Sequence, residues 1–251
     1  MSKDQHQRFA DLSYADFREL AKDSTLSKYE KIGFPNSYRE GKEGAIFEDI
    51  KSKLSLLSER GRVILDIGPG CSDLPIMLIE QCQQNSHQLL LVDSEEMLSL
   101  LPELPFITKY SGMYPSAILD FDQLKQNVDV ILLYSVLHYI FAEGSIYSFL
   151  DKSLSLLAPG GQMLIGDIPN SSKRKRFFSS ETGVRFHQEF RQTKDMPKIE
   201  FFKVEDGQID DAVIMGLVNR ARSQGFDAYV LPQHSKLPMA NRREDILIVR
   251  P

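Results

Sequence analysis

Hydrophobic positions recur along this chain in two alternating rhythms. Short apolar runs predict strands over 62–67, 89–92, 106–110, 128–134 and 162–167. Between them, apolar positions at helical spacing predict helices over 73–82, 95–101, 119–126 and 145–157. Val128-Asp129-Val130-Ile131-Leu132-Leu133 is nearly continuous in apolar residues, as a strand covered on both faces should be. Ala158-Pro159-Gly160-Gly161 stops a helix and opens the fifth strand. Such alternation predicts βαβ units with right-handed crossovers and helices on both faces of a parallel sheet.

The two ends break this rhythm. Ser13 and Asp16, followed by Phe17, Leu20 and Ala21, predict a short capped helix. Residues 28–39 are aromatic, charged and punctuated by Gly33 and Pro35, so 1–44 reads as an ordered lid. From Ala45 onward, Ile46, Ile50, Leu54 and Leu57 mark one helical face. One domain over 45–251 follows, interrupted by a polar and aromatic cap insertion at 171–205. A helix over 210–223 with Asp210 as N-cap leads to two short strands, 228–231 and 245–249.

The chemistry concentrates where the first strand ends. Val63-Ile64-Leu65-Asp66-Ile67 runs into Gly68-Pro69-Gly70-Cys71-Ser72, and the second strand ends in Asp93. A glycine turn on one parallel strand beside a carboxylate on the next makes a nucleoside cradle. Gly68 and Gly70 permit close backbone approach, and Asp93 either accepts both ribose hydroxyls or caps residues 95–97. Asp66 either meets the ligand through water or accepts N–H bonds from the loop.

These segments, together with Val92-Asp93-Ser94-Glu95-Glu96-Met97-Leu98, the run 128–138 and Leu154–Gly161, resemble class I S-adenosylmethionine (SAM) dependent methyltransferases. The resemblance covers roughly 45–170, and the strand pair at 228–249 fits it. It implies an α/β, doubly wound, mostly parallel seven-stranded Rossmann-like sheet with an N-terminal helical lid and a cap after strand five. It implies SAM as cofactor, S-adenosylhomocysteine (SAH) as product, and a cofactor site from Tyr38, Arg39, Asp66, Gly68, Gly70, Asp93, Ser94, Met97, Met113, Tyr114 and Tyr134. Met97 is either simple core or the floor under adenine; Arg39 either pairs with the SAM carboxylate or is a surface cation. Where the family often carries an acid facing the adenine amine, this chain has Ser111-Gly112-Met113-Tyr114, leaving Met113, Tyr114 and backbone for that contact. Asp73 stands where a dinucleotide fingerprint needs Gly or Ala and would repel a pyrophosphate, which disfavours a nicotinamide oxidoreductase.

Charge bears on the acceptor. A net charge of -5 argues against a general nucleic-acid binder. Lys173-Arg174-Lys175-Arg176 and the loop 232–244, with Lys236, Arg242 and Arg243, fall on the active-site face if the last strand is antiparallel. Arg174, Arg176, Arg242 and Arg243 are thus substrate-binding candidates for an anionic acceptor, against the alternative of a solvated loop. His138 and Asp167 are the candidate catalytic bases, against a structural histidine and a structural strand-end acid. The expected activity is methyl transfer to a small, anionic acceptor at oxygen. The alternatives are an RNA or DNA methyltransferase, although the Asp/Asn-Pro-Pro-aromatic motif is lacking, and a non-catalytic SAM-binding regulatory protein. The ending 241–248 looks like that of bacterial methyltransferases of surface-polysaccharide biosynthesis. With no secretory signal, no membrane-length apolar run and only Cys71 and Cys82, a cytoplasmic protein is expected. No metal-ligand cluster is visible, so metal independence is expected; oligomeric state is left open.

Overall fold

A computed structural model describes residues 9, 12–118, 120–203 and 205–251. Seven strands form one sheet in the order β3-β2-β1-β4-β5-β7-β6: β1 (Val63–Ile67), β2 (Gln88–Asp93), β3 (Ile107–Ser111), β4 (Val128–Tyr134), β5 (Leu157–Pro169), β6 (Asp227–Pro232) and β7 (Arg243–Val249). The first five are mutually parallel, and β7 runs antiparallel to both β5 and β6. The sheet is therefore mixed.

Strand residues alternate between two cores. Leu65, Ile67, Leu90, Val92, Ile131, Leu133, Met163, Ile165, Ile246 and Ile248 share one. Ile64, Leu89, Leu91, Val130, Leu132 and Leu164 share the other. Covering both faces explains why these strands read as apolar runs rather than as a polar-apolar alternation.

Among the described residues, the segment expected as a lid contains three helices, α1 (Tyr14–Lys22), α2 (Lys28–Lys31) and α3 (Asn36–Arg39), and leads into α4 (Glu43–Lys53). Reciprocal capping boxes, Ser13 with Asp16 and Ser27 with Glu30, start α1 and α2. Residues 1–8, 10 and 11 of the expected lid lie outside the described residues. Helix α5 (Asp73–Asn85) follows the glycine loop, and α6 (Glu95–Leu98) follows β2.

Several predicted boundaries move. The helix expected over 95–101 stops at Leu98, ahead of Pro102, and the one expected over 119–126 is the single turn α7 (Phe121–Leu124), with Leu119 outside the described residues. An unpredicted helix, α8 (Leu137–Glu143), follows β4 directly and precedes α9 (Ile146–Leu156). It starts with no side-chain cap, so nothing local announces it. The 171–205 insertion opens with two helices, α10 (Ser171–Phe178) and α11 (Glu181–Arg191), capped by Asn170 and Ser180. The last helix, α12 (Asp211–Ser223), is capped by Asp210 as expected.

Candidate active site

The chain passes from β1 out to β2 and β3, then returns to β4 on the other side of β1. In such sheets ligands bind where the order reverses, at the strands' carboxyl ends. A cavity of about 300 Å³ opens there, which is within the size of small-molecule sites. Gly68, Gly70, Asp93, Met97, Met113, Tyr114, Arg39 and Tyr134, all named from sequence, line it together.

Its floor is the glycine loop. Gly68 and Gly70 adopt φ of 71° and 66°, a region costly for residues with a Cβ. A Cβ on Gly68 would stand 2.7 Å from Val136, and one on Gly70 2.6 Å from Ile32 of the lid. Asp93 holds this loop: one oxygen accepts the Gly70 N–H at 3.1 Å, the other the Ser94 N–H at 2.6 Å. One lone pair remains on each oxygen, and burial pushes the carboxyl up to about 6. Ser94 caps α6 by accepting the Met97 N–H and does not itself line the cavity.

Asp66 differs from expectation. It lies beneath α5 rather than in the cavity lining, and Asp93, not Asp66, takes the loop amide. Alternation along β1 explains this: Ile67 faces the cavity, so its neighbour points the other way. Burial, then the nearby Asp93 charge, pushes the Asp66 carboxyl up to about 8.

At the far end of the cavity, two adjacent strand ends carry non-glycine residues at positive φ, Ser135 (63°) and Asp167 (58°). Such residues are uncommon and mark positions held by their surroundings. Ser135 Oγ donates to Asp167 at 2.5 Å and accepts from Arg39 at 2.6 Å. Arg39 is buried, ion-pairs with Asp167 at 3.5 Å and lies over the Phe34 ring at 4.3 Å. Arg39 is thus an internal cation, not a surface one.

The two candidate bases do not line the cavity. Asp167 is enclosed by donors: Ser135, Arg243 at 2.9 Å and Gln233 at 3.3 Å, while its own N–H donates to Asp245. His138 sits in the first turn of α8 with its ring 3.9 Å from that of Tyr139, and its Nδ1 has no hydrogen-bond partner among the described residues. Burial, then the Arg243 charge, lowers it to about 4, so at neutral pH it is uncharged and a poor proton acceptor. Tyr38 also lies outside the lining, near Arg242.

Sequence reading missed the residues that roof the cavity: Tyr14, Phe17, Ile32 and Phe34 from the lid, and Tyr139 and Glu143 from α8. Their partners are distant in sequence, so periodicity carried no signal. Arg18 clamps both carboxylate oxygens of Glu96, Phe17 meets Tyr139 edge-on at 4.9 Å, and Lys28 and Tyr29 both bond Asp73. Glu43 accepts the Leu74 N–H at 2.8 Å, so carboxylates already occupy the start of α5 where a pyrophosphate would sit. A Gly70→Ala variant should lose about 1–2 kcal/mol of stability from positive φ and the Ile32 contact. Adding Ile32→Ala should return the steric share of the melting temperature, and no recovery would show that the lid does not seat on the loop.

The basic rim is mostly consumed by internal partners. Arg174 bonds Glu205, Arg176 bonds Asp211, Arg243 bonds Asp167, and Lys173 and Lys175 donate to backbone carbonyls. None of Arg174, Arg176, Arg242 and Arg243 lines the cavity. Antiparallel pairing of Pro169 with Arg243 does bring the loop expected over 232–244, which spans 233–242 between β6 and β7, to the carboxyl end of β5. Among the described residues no three His, Cys, Asp or Glu side chains gather to hold a metal ion, and no helix is long and apolar enough to cross a membrane.

No known family profile and no curated protein sequence matches the chain. Solved structures do. The plantazolicin methyltransferase BpumL in complex with SAH superposes with a TM-score of 0.57 at 15% identity, over 98% of this chain and 99% of its own. The N-methyltransferase NodS from Bradyrhizobium japonicum WM9, also with SAH, gives 0.55 at 14% identity, over 95% and 98%. The CurJ carbon methyltransferase gives 0.52 at 16% identity over 98% of this chain, which spans 66% of that one. The fold is the one these methyltransferases share. Likeness at this identity shows the fold alone and leaves the chemistry to the site.

Proposed function

We propose that the chain is a SAM-dependent methyltransferase acting on a small molecule, with oxygen as the methylated atom. One observation carries this reading: a single cavity runs from the Asp93 carboxylate, across the two glycines, to Arg39 and Ser135 beneath the lid. The free lone pairs of Asp93 suit two vicinal hydroxyls of a ribose. Met97, Met113 and Tyr114 offer apolar surface for adenine, and the glycines leave room where a Cβ would fill the space. When bound, SAM supplies an electrophilic methyl group on a sulfonium sulfur.

The chain's own part is positioning and exclusion of water. Tyr14, Phe17, Phe34 and Tyr139 roof the reacting end with aromatic surface, and Ser135 offers a fixed hydroxyl. The similarity of 241–248 to surface-polysaccharide methyltransferases supports a sugar-borne hydroxyl as the nucleophile. Calorimetry with SAH, and transfer of label from methyl-labelled SAM into a small-molecule extract, test the reading together. Binding without transfer into any fraction would support a regulatory SAM-binding protein. Heat with NAD and none with SAH would overturn the assignment.

A further inference from the structure

Of the arginines in the basic rim, Arg242 is the one that meets no carboxylate among the described residues. Arg174, Arg176 and Arg243 each meet a carboxylate. Among the described residues the Arg242 guanidinium enters no ion pair; it stands 5.9 Å from the Phe178 ring centre and 6.0 Å from that of Phe186. The two rings come from α10 and α11 of the cap, which thereby hold the guanidinium in place. Aromatic faces attract a cation but do not neutralise it, and a partly desolvated charge without a counter-ion is costly. Burial accordingly lowers its pKa; Tyr38 opposes that shift, and the Arg243 and Arg174 charges add to it.

Its position matters as much as its charge. Arg242 directly precedes Arg243, which bonds Asp167 and through it Ser135 of the cavity wall. Tyr38, next in sequence to the cavity-lining Arg39, is close enough to act on the Arg242 charge. The guanidinium lies outside the cavity lining, tied to Ser135 through Arg243 and Asp167 and adjoining Tyr38, the chain neighbour of Arg39.

We propose that Arg242 anchors an oxyanion, carboxylate or phosphate, carried by the methyl acceptor at a point remote from the methylated atom. This rests on the methyltransferase reading above and narrows its acceptor to anionic molecules. A planar guanidinium held against aromatic faces presents a fork suited to two oxygens, which an ammonium cannot match.

The test divides a small-molecule extract of the source cells on an anion-exchange column and incubates each fraction with the protein and methyl-labelled SAM. Label is expected in the retained, anionic fraction. With Arg242→Ala, the amount of that fraction giving half-maximal rate should rise about 10- to 100-fold while SAH binding stays unchanged, the range of one charged hydrogen-bonding contact. Arg242→Lys should recover part of the loss, and Lys198→Ala, which removes an exposed cap cation, should leave the rate unchanged. Label in the unretained fraction, or an Arg242→Ala protein indistinguishable from wild type on the retained one, overturns the proposal. SAH binding with no labelled fraction overturns the methyltransferase reading, and this proposal with it.

Discussion

Asp93→Ala should weaken SAH binding about 100-fold or more, measured by calorimetry, while the far-ultraviolet circular dichroism stays that of the wild type. The carboxylate has two jobs at one point. It accepts the Gly70 and Ser94 amides and so fixes the loop. It also retains a lone pair on each oxygen for ligand hydroxyls, and charge-assisted bonds of this kind contribute about 1.5–3 kcal/mol each. Losing two of them, plus loop order, exceeds the 2.7 kcal/mol or so that corresponds to a hundredfold change in Kd. Asp93→Asn keeps an acceptor oxygen for one amide and one hydroxyl, so a smaller loss, about tenfold, is expected. Because burial raises Asp93 to about 6, wild-type affinity should also fall as pH drops below 6, whereas the Asn variant should not follow that fall. Equal affinity of Asp93→Ala and wild type would remove the ribose assignment and the cofactor reading with it.

The sheet and the cradle were legible because both are written locally. Runs such as Val128–Tyr134 advertise burial on two faces, and Gly68, Gly70 and Asp93 are special at short range. The reacting end was not legible in the same way. Ser135 and Asp167 are ordinary residues in sequence; positive φ and partners 32 residues apart make them a unit. Arg39 read equally well as a surface cation until Phe34, Ser135 and Asp167 closed round it. His138 shows the opposite failure. Its type and its place after strand four suggested a base, but the direction of the ring is set by the first turn of α8, a helix without a capping signal. In the cap, Asn170 and Ser180 were capping signals present but unread, since the polarity of 171–205 hid the two helices that bring Phe178 and Phe186 to Arg242.

Asp66→Asn should make the protein more stable above pH 8 and flatten its stability between pH 4 and 8. Asp66 is 4% exposed under α5, and burial followed by the Asp93 charge raises it to about 8. In the unfolded chain it titrates near about 3.9. Between those values the folded state holds a proton that the unfolded state has released. Stability therefore falls as pH rises across the window: the favourable contribution is complete below pH 4 and is lost through pH 8. The difference amounts to about 5 kcal/mol, and at about 2–4 °C per kcal/mol for a chain of this size the melting temperature should drop by roughly 10–20 °C. Asparagine has nearly the same shape and does not titrate, so melting curves at pH 5 and 8.5 should nearly coincide for the variant apart from the smaller share of Asp93. Because removing either acid relieves the repulsion on the other, the Asp66→Asn/Asp93→Asn double variant, set beside the two single ones, separates that share. Parallel wild-type and variant curves would mean that Asp66 is ionised and hydrated in the native protein, which the apolar packing of α5 over β1 would then have to accommodate with water beneath it.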